Sequence, residues 1–289
     1  MKTSLGEKIF AVINYLFITF FMVACIYPFL YIVATSFSSS RAIASGEVFI
    51  WPVEFTAEAY NQLLLDGQIF TSMWNTLLLT VVGTALNMIC TILCSYALSK
   101  KRLGGRGIFM AIIVFTMMFS GGMIPNFLLV RSLGLMDSYW ALWLTGLQST
   151  YNMIVLRTFF QNIPDSLEEA AQIDGAEDPY ILVRVVLPLS GAAIATITLF
   201  YAVGWWNSYF SAMLYISSGN KFVLMVRLRA MLDAARNQLI QMESGEQIQI
   251  AQEAFRAATI LVSTLPIICV YPFLQKYFIK GVMIGSLKG

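Results

Sequence analysis

Residues 169–175 read Glu-Ala-Ala-Gln-Ile-Asp-Gly, and a leucine-proline pair follows at Leu187 and Pro188. This polar stretch stands out because the rest of the chain is strongly apolar. Gly175 is placed where a residue with positive φ ends a helix, since glycine adopts that conformation without a Cβ clash. Pro188 is expected to prevent a second helix from continuing unbroken into the next apolar run. The pattern predicts two short helices joined by a turn.

Both predicted helices have start signals. Ser166 and Glu169 have the S-x-x-E spacing of a capping box, so the first helix is expected to begin between Asn162 and Ser166. Asp178 followed by Pro179 is typical of a cap and a first-turn proline. We therefore expect a stiff helix-turn-helix that docks on another protein. The alternative is an ordinary amphipathic loop.

The composition is that of a membrane protein. Hydrophobic residues make up 58% of the chain and charged residues 12%, and the mean hydropathy is +0.72. One soluble core cannot hide that much apolar surface. A spanning helix needs about 20 mainly apolar residues, and the first run is too long for a cleaved signal peptide. The predicted spans cover residues 9–35, 74–98, 108–130, 139–160, 191–216 and 258–278.

The distribution of lysine and arginine predicts the orientation. Basic residues precede the first span, separate the second from the third and follow the sixth, which puts both termini in the cytoplasm. The loop at 161–190, called the coupling loop below, is then cytoplasmic, and the segments 36–73 and 217–257 are external. One conflict remains, because the last external segment also carries basic residues, which acidic residues largely balance. The cytoplasmic cations are Lys2, Lys8, Lys100, Lys101, Arg102, Arg106, Lys276, Lys280 and Lys288.

The chain resembles the membrane subunits of binding-protein-dependent ABC importers. Their cytoplasmic loop carries the pattern E-A-A, three residues, G, nine residues, I-x-L-P. The matching positions are Glu169, Ala170, Ala171, Gly175, Val185 in place of isoleucine, Leu187 and Pro188. The tail at 281–289 is similar to the ending of carbohydrate permeases of the maltose type, and residues 119–125 resemble a subgroup for complex oligosaccharides or polysaccharide fragments. The resemblance implies an all-α bundle of six transmembrane helices with a cytoplasmic EAA coupling helix-turn-helix.

The resemblance also implies partners and a bacterial plasma-membrane location. The chain contains no phosphate-binding G-x-x-x-x-G-K-[ST] motif, so ATP and Mg²⁺ are expected at two partner ATPase subunits and no cofactor on this chain. A second permease, homologous or identical to this chain, and a sugar-binding protein complete the expected assembly, and no nucleic acid is expected. The external segments are expected to contact the binding protein or to have a structural role. The implied ATPase-coupling residues are Glu169, Ala170, Ala171, Asp174, Gly175, Leu187, Pro188, Lys288 and Gly289.

A cluster of aromatic and polar residues in the fifth span is the candidate solute pathway. Flat apolar faces with hydrogen-bonding tips suit sugar rings. The resemblance to carbohydrate permeases implies that the cargo is a sugar, in particular an oligosaccharide. The alternative is an interfacial aromatic belt. Other polar residues in the spans, among them Asn87 and Asn152, are expected to form hydrogen bonds between helices. The pathway candidates are Tyr201, Trp205, Trp206, Asn207 and Tyr209.

Several chemistries are disfavoured. The chain has no histidine, and its four cysteines lie in apolar runs, so neither catalytic residues nor a metal site are predicted. An ion-driven secondary transporter is expected to show mid-span charges and inverted repeats, and a membrane enzyme needs convergent titratable groups. Neither pattern is evident. A permease for peptides or amino acids remains an alternative that only substrate measurements separate.

Overall fold

A computed structural model describes residues 5–65, 67–119, 121–241 and 253–269. Within these ranges the chain is helical and contains no β-strand, which confirms the predicted all-α class. The helices are α1 (Leu5–Ser36), α2 (Ser40–Ala44), α3 (Glu58–Leu65), α4 (Gln68–Ser99), α5 (Arg106–Met118), α6 (Met123–Ser132), α7 (Tyr139–Thr145), α8 (Thr150–Gln161), α9 (Asp165–Ile173), α10 (Asp178–Leu189), α11 (Gly191–Trp206), α12 (Phe210–Tyr215), α13 (Leu224–Gln241) and α14 (253–269).

The chain forms two compact units. The first comprises Met1–Ile69 with Leu228–Pro266, and the second comprises Phe70–Arg227 with Ile267–Gly289. The second unit contains the coupling loop and the candidate pathway residues.

Two helices in the described part of the chain are long and apolar enough to cross a bilayer, Gly6–Ser36 and Gln68–Ser99. They contain the predicted first and second spans. The number rises to four if each of two sharply bent helix pairs is one span. The count of six stays a prediction, and the end of the sixth predicted span, from residue 270 onward, lies outside the described residues.

Three other predicted spans are not continuous helices. The run 108–130 is divided into α5 and α6, which meet at 110°. Gly122 precedes α6 with φ at +87°, a conformation that side chains disfavour. The run 139–160 contains both α7 and α8, and the run 191–216 contains both α11 and α12. Hydropathy alone does not reveal such breaks, because it is insensitive to backbone dihedral angles. In the run 108–130 the local signal of the break is the glycine pair Gly121 and Gly122.

The α1 helix has an almost fully uncovered apolar surface. None of its most hydropathic 18-residue window is buried, and Phe10 and Tyr15 are 71% and 72% exposed. Exposed apolar area costs about 25 cal/mol per Å² in water. Among the described residues, the exposure of α1 is therefore that expected of a helix in contact with lipid.

In the first unit, α1 is followed by a small folded segment. The ring of Phe37 stacks on Tyr60 at 4.7 Å and on Phe55 at 5.4 Å between centroids. The Tyr60 hydroxyl donates to Ser36 Oγ at 2.9 Å, and burial raises the pKa of Tyr60. The segment that follows the first predicted span is therefore structured.

In the second unit, the loop before α13 is clamped by side chains. Asp137 accepts hydrogen bonds from two backbone N–H groups, from Ser218 Oγ at 2.6 Å and from Lys221 Nζ at 2.9 Å. These bonds hold the pKa of Asp137 well below its usual range. From α4, Asn75 donates to the Asn220 carbonyl at 2.8 Å. The loop is thus tied both to α4 and to the turn before α7.

Candidate functional site

The coupling loop contains two short helices. The first begins within the predicted range of 162–166, but neither helix has the predicted residue as its N-cap. The α9 helix begins at Asp165 after Pro164, which forms no side-chain cap, so Ser166 lies inside the first turn. The capping box predicted from Ser166 is therefore wrong. Asp178 is the first residue of α10, and the N-cap is Glu177. The acidic residues of both first turns instead interact favourably with the helix dipole.

The turn between the helices is built around Gly175, as predicted. Gly175 has φ at +81°. Its N–H donates to the Gln172 carbonyl at 3.0 Å, and the Ala176 N–H donates to the Ala171 carbonyl at 2.9 Å. This pair of bonds is the Schellman motif, in which a left-handed residue closes the end of a helix. Ala171 and Ala176 both pack on the apolar cluster beneath the loop. The turn is thus fixed by backbone bonds and by packing.

The α10 helix accommodates its proline with a π-helical turn. Pro188 has no N–H to donate to the carbonyl four residues before it, and its ring crowds that carbonyl. Residues Leu182–Val186 form a π-helix, with the Leu187 N–H bonded to the Leu182 carbonyl. The helix ends at Leu189, and α10 and α11 meet at 86°. The break therefore falls at Ser190, two residues after the proline.

The coupling loop has a buried face and an exposed face. Ile181, Leu182 and Val186 are buried against Tyr96 of α4 and Leu156 of α8. Leu187 is half-buried in the same cluster. The opposite face leaves apolar side chains uncovered in this chain: Leu167, Ile173, Tyr180, Val183 and Leu189, with Ile173 at 86% exposure. The exposed face also includes Glu169, Ala170, Asp174, Gly175 and Pro188.

Three consecutive cations after α4 pair with three carboxylates of the coupling loop. Lys100 pairs with Glu168, Lys101 with Asp165 at 3.2 Å, and Arg102 with Asp178. From the sequence, these cations indicate only the orientation of the chain. Their partners lie 64 to 76 residues further along, so no local pattern reveals the pairing.

A cavity of about 420 Å³ lies in the second unit, between α4, the start of α8 and the end of α11. Every residue that lines it is neutral, and the lining combines aromatic rings with hydroxyl and amide groups. Such a surface offers stacking faces and hydrogen bonds without a fixed charge. The lining residues are Asn87, Gly146, Ser149, Asn152, Phe200, Tyr201, Gly204, Trp205, Ser208, Tyr209, Phe210 and Ser211.

One wall of the cavity is the indole of Trp205. Its Nε1 donates to Asn87 Oδ1 at 2.9 Å, and Asn87 Nδ2 donates to the Gly146 carbonyl at 2.7 Å. A Cβ on Gly83 would lie 2.6 Å from the indole, and one on Gly146 would lie 2.8 Å from it. Only glycine leaves room for the ring on both sides. The expected hydrogen bonding of Asn87 is confirmed, although its partners are an indole and a loop carbonyl.

The five predicted pathway residues separate into two groups. Tyr201, Trp205 and Tyr209 line the cavity, and Trp206 and Asn207 do not. Trp206 is buried, and the Asn207 amide donates to a carbonyl of its own helix at 3.0 Å. Burial of Trp205 and its internal hydrogen bond do not fit an interfacial belt.

Polar residues outside the predicted cluster also belong to the cavity. Asn152 is 6% exposed at the start of α8. The Ser149 N–H donates to Tyr201 Oη at 3.2 Å, and Tyr201 Oη lies 2.8 Å from Thr91 Oγ1. A sequence pattern shows the polar residues of each helix separately. Only the packing of the helices brings α4, α8 and α11 to one cavity.

Lys288 and Gly289, the remaining predicted coupling residues, lie outside the described residues.

The long apolar helices define a multi-pass membrane protein, and comparisons with known proteins place it more closely. No family model matches the chain. It is 43% identical over 284 residues to the polygalacturonan/rhamnogalacturonan transport system permease protein YtcP of Bacillus subtilis, covering 98% of this chain and 99% of that protein. It is 41% identical over 292 residues to the protein LplC of the same organism, covering 100% and 98%.

A solved structure is similar throughout. The chain matches a chain of a bacterial ABC transporter involved in the import of the acidic polysaccharide alginate, with a TM-score of 0.85, 37% identity and coverage of 96% and 99%. The protein therefore belongs to the family of sugar and polysaccharide ABC transport system permeases. This confirms the resemblance read from residues 169–188. The comparisons favour it over the peptide-permease and secondary-transporter alternatives.

Proposed function

We propose that this chain is one of two permease subunits through which a bacterial importer moves a saccharide across the plasma membrane by alternating access. The observation that carries the proposal is the coupling loop. It is a rigid helix-turn-helix whose outer face leaves Ile173 86% exposed beside Glu169. Apolar side chains on a stiff protrusion mark a protein contact, since they gain about 1.5–3 kcal/mol each when buried.

The partner at this face is an ATPase subunit. Two ATPases that close on ATP draw two docked coupling loops together, and the movement tilts the spans between inward-open and outward-open states. The face combines apolar side chains with the carboxylates of Glu169 and Asp174, so it fits a cleft that has an apolar floor and a basic rim. The coupling loop and both chain termini are then cytoplasmic. The tail residues Lys288 and Gly289 are proposed to contact the same ATPase.

A second permease is proposed as a neighbour because α1 has a long apolar surface that the described residues leave exposed. The smallest assembly that contains all of these parts has two homologous permeases, two ATPases and one sugar-binding protein. That binding protein contacts the segments 36–73 and 217–257 from outside. ATP and Mg²⁺ belong to the ATPase subunits.

The cavity beside Trp205 is the proposed solute pathway of this subunit. Saccharides present apolar C–H faces for stacking and hydroxyls for hydrogen bonds. The cavity offers the ring of Tyr209 together with the amide of Asn152 and the hydroxyls of Ser208 and Ser211. Relatives named for polygalacturonan and alginate transport favour an oligosaccharide or a polysaccharide fragment. Trp206 and Asn207, which lie next to the lining, are proposed to support its shape.

Docking is tested with Glu169→Lys and Gly175→Trp. The first reverses a charge on the outer face, and the second places a large side chain where φ is +81°. Both variants are expected to insert normally, to lose the ATPase subunit on co-purification, and to lose uptake of an oligogalacturonide mixture into cells.

The matched control is Gly104→Trp, at a loop glycine where a Cβ would meet nothing within 4 Å. It should leave uptake and co-purification intact. Retention of the ATPase and of uptake by both coupling-loop variants would refute the docking assignment.

A further inference from the structure

The three cations at 100–102, called the basic loop below, begin directly after Ser99, the last residue of α4. Each one binds a different carboxylate of the coupling loop. Glu168 and Asp165 lie in the first turn of α9, and Asp178 is the first residue of α10. The basic loop therefore contacts both helices of the coupling loop at once.

The three pairs differ in burial. The side chains of Lys100 and Glu168 are each 16% exposed, and the Lys100 ammonium lies 4.1 Å from the centre of the Tyr96 ring. The other two pairs are more than half exposed. Exposed pairs contribute little, whereas breaking a shielded pair leaves a charge without its partner. The Lys100–Glu168 pair is therefore the main electrostatic link.

The end of α4 is itself held in place, so the link connects two ordered elements. Arg157 Nε donates to the Leu98 carbonyl at 2.9 Å, and Ser99 Oγ donates to the Tyr96 carbonyl at 2.7 Å. The Tyr96 hydroxyl also donates to the Asp178 carbonyl at 3.4 Å. Tyr96 packs in the apolar cluster beneath the coupling loop. Charge, hydrogen bonding and packing all join α4 to this loop.

We propose that Lys100, Lys101 and Arg102 are positioning residues that fix the coupling loop to the end of α4, so that α4 moves with the loop when the ATPases close. Along the backbone, the coupling loop continues into α11 only through the 86° bend at Ser190. A bend of this kind transmits movement from the coupling loop to α11 only weakly, because the angle between the two helix axes can change. The basic loop supplies a second, direct connection. It leads to the helix that contributes Asn87 to the cavity wall.

This inference rests on the proposed docking of an ATPase. If the inference is correct, mutations can distinguish the connection through the basic loop to α4 from the backbone connection through Ser190 to α11. Loss of the basic loop contacts should uncouple α4 from ATP while the route through Ser190 continues to move α11.

The test uses the complete importer, assembled with its co-encoded subunits in lipid nanodiscs. Hydrogen exchange is measured by mass spectrometry with and without ATP and vanadate, on peptides from the end of α4 and from α11. In the Lys100→Glu complex, the ATP-dependent change in α4 is expected to fall by about fivefold, a typical coupling between two sites. The change in α11 and the ATPase stoichiometry should persist.

The charge swap Lys100→Glu with Glu168→Lys is expected to restore the change in α4, as is Lys100→Arg alone. Arg131→Glu, a reversal at an exposed cation in the last turn of α6, is the matched control and should change neither peptide. An unaltered α4 response in Lys100→Glu would overturn the inference, and so would a swap that fails to rescue.

If Lys100→Glu does not assemble, the exposed pairs provide the test. Lys101→Gln with Arg102→Gln alters side chains that are 82% and 55% exposed, and it should lower the α4 response by about twofold. A full response in that variant overturns the inference. If the wild-type complex binds no ATPase, or ATP alters neither peptide, the docking function itself is refuted and the inference with it.

Discussion

Replacement of Gly83 by alanine should destabilise the second unit, and the structure allows the size of the effect to be worked out. The new Cβ would lie 2.6 Å from Cε2 and 2.7 Å from Nε1 of Trp205. Carbon atoms in contact are normally about 3.5–4.0 Å apart, so the ring must move by about 1 Å. It cannot move away freely, because a Cβ on Gly146 would also lie 2.8 Å from this ring.

Three contributions set the magnitude. Overpacking costs about 1–3 kcal/mol. Displacing the indole weakens its 2.9 Å bond to Asn87, and an unsatisfied buried donor costs about 1–3 kcal/mol. Alanine in place of glycine in a helix returns up to about 1 kcal/mol. We expect Gly83→Ala to lower the free energy of unfolding by about 3 kcal/mol, the balance of these terms.

The assay is unfolding by SDS titration in mixed micelles, followed by circular dichroism. Gly204→Ala is the matched control, since it changes a glycine of α11 whose Cβ would meet nothing within 4 Å, and it should not destabilise. In a Trp205→Phe background, the cost of Gly83→Ala should fall below about 1 kcal/mol, because the two residues are coupled. Gly83→Ala with wild-type stability would refute the packing argument.

Three further effects can be measured in the same assay. Gly175→Ala should cost about 1–2 kcal/mol, because φ is +81° there, and a cost near zero would show that the turn relaxes. Asp137→Ala should cost about 2 kcal/mol by removing hydrogen bonds to a charged group. Because the folded pKa of Asp137 is lowered, this contribution is complete above the unfolded pKa of about 4 and declines as the pH falls below it. A difference between wild type and variant that grows with acid would contradict this sign. Tyr201→Phe should cost about 1–2 kcal/mol by leaving the Ser149 N–H and Thr91 without their partner, and an unchanged midpoint would show that water replaces the hydroxyl.

The coupling loop shows how much of a structure can be predicted from local sequence patterns. Its two helices, the glycine turn and the stop after Pro188 were all predictable, because each depends on residues a few positions apart. The first helix begins within the predicted range, but the N-caps are Pro164 and Glu177 instead of the predicted Ser166 and Asp178. Hydroxyl and carboxylate caps are degenerate signals, and here the carboxylates Asp165, Glu168 and Asp178 bind cations from a distant part of the chain.

The cavity shows the opposite case. Tyr201 and Trp205 were identified from an aromatic cluster on one helix, but Asn87 and Asn152 contribute from two others. Their assignment required the packing of α4 and α8, which no single periodic pattern encodes.

The amino-acid sequence alone determined that this protein lies in a membrane, that it is helical, and that two short helices flank a turn at Gly175. Apolar length, composition and turn chemistry act locally, so a local pattern is enough to predict these features. Tertiary structure decided at which residues the helices in the apolar runs end and which carboxylate pairs with each cation of the basic loop. It also decided which glycines leave space for the indole of Trp205. Those outcomes depend on contacts between residues far apart in the chain, whose energies exist only once the helices have packed.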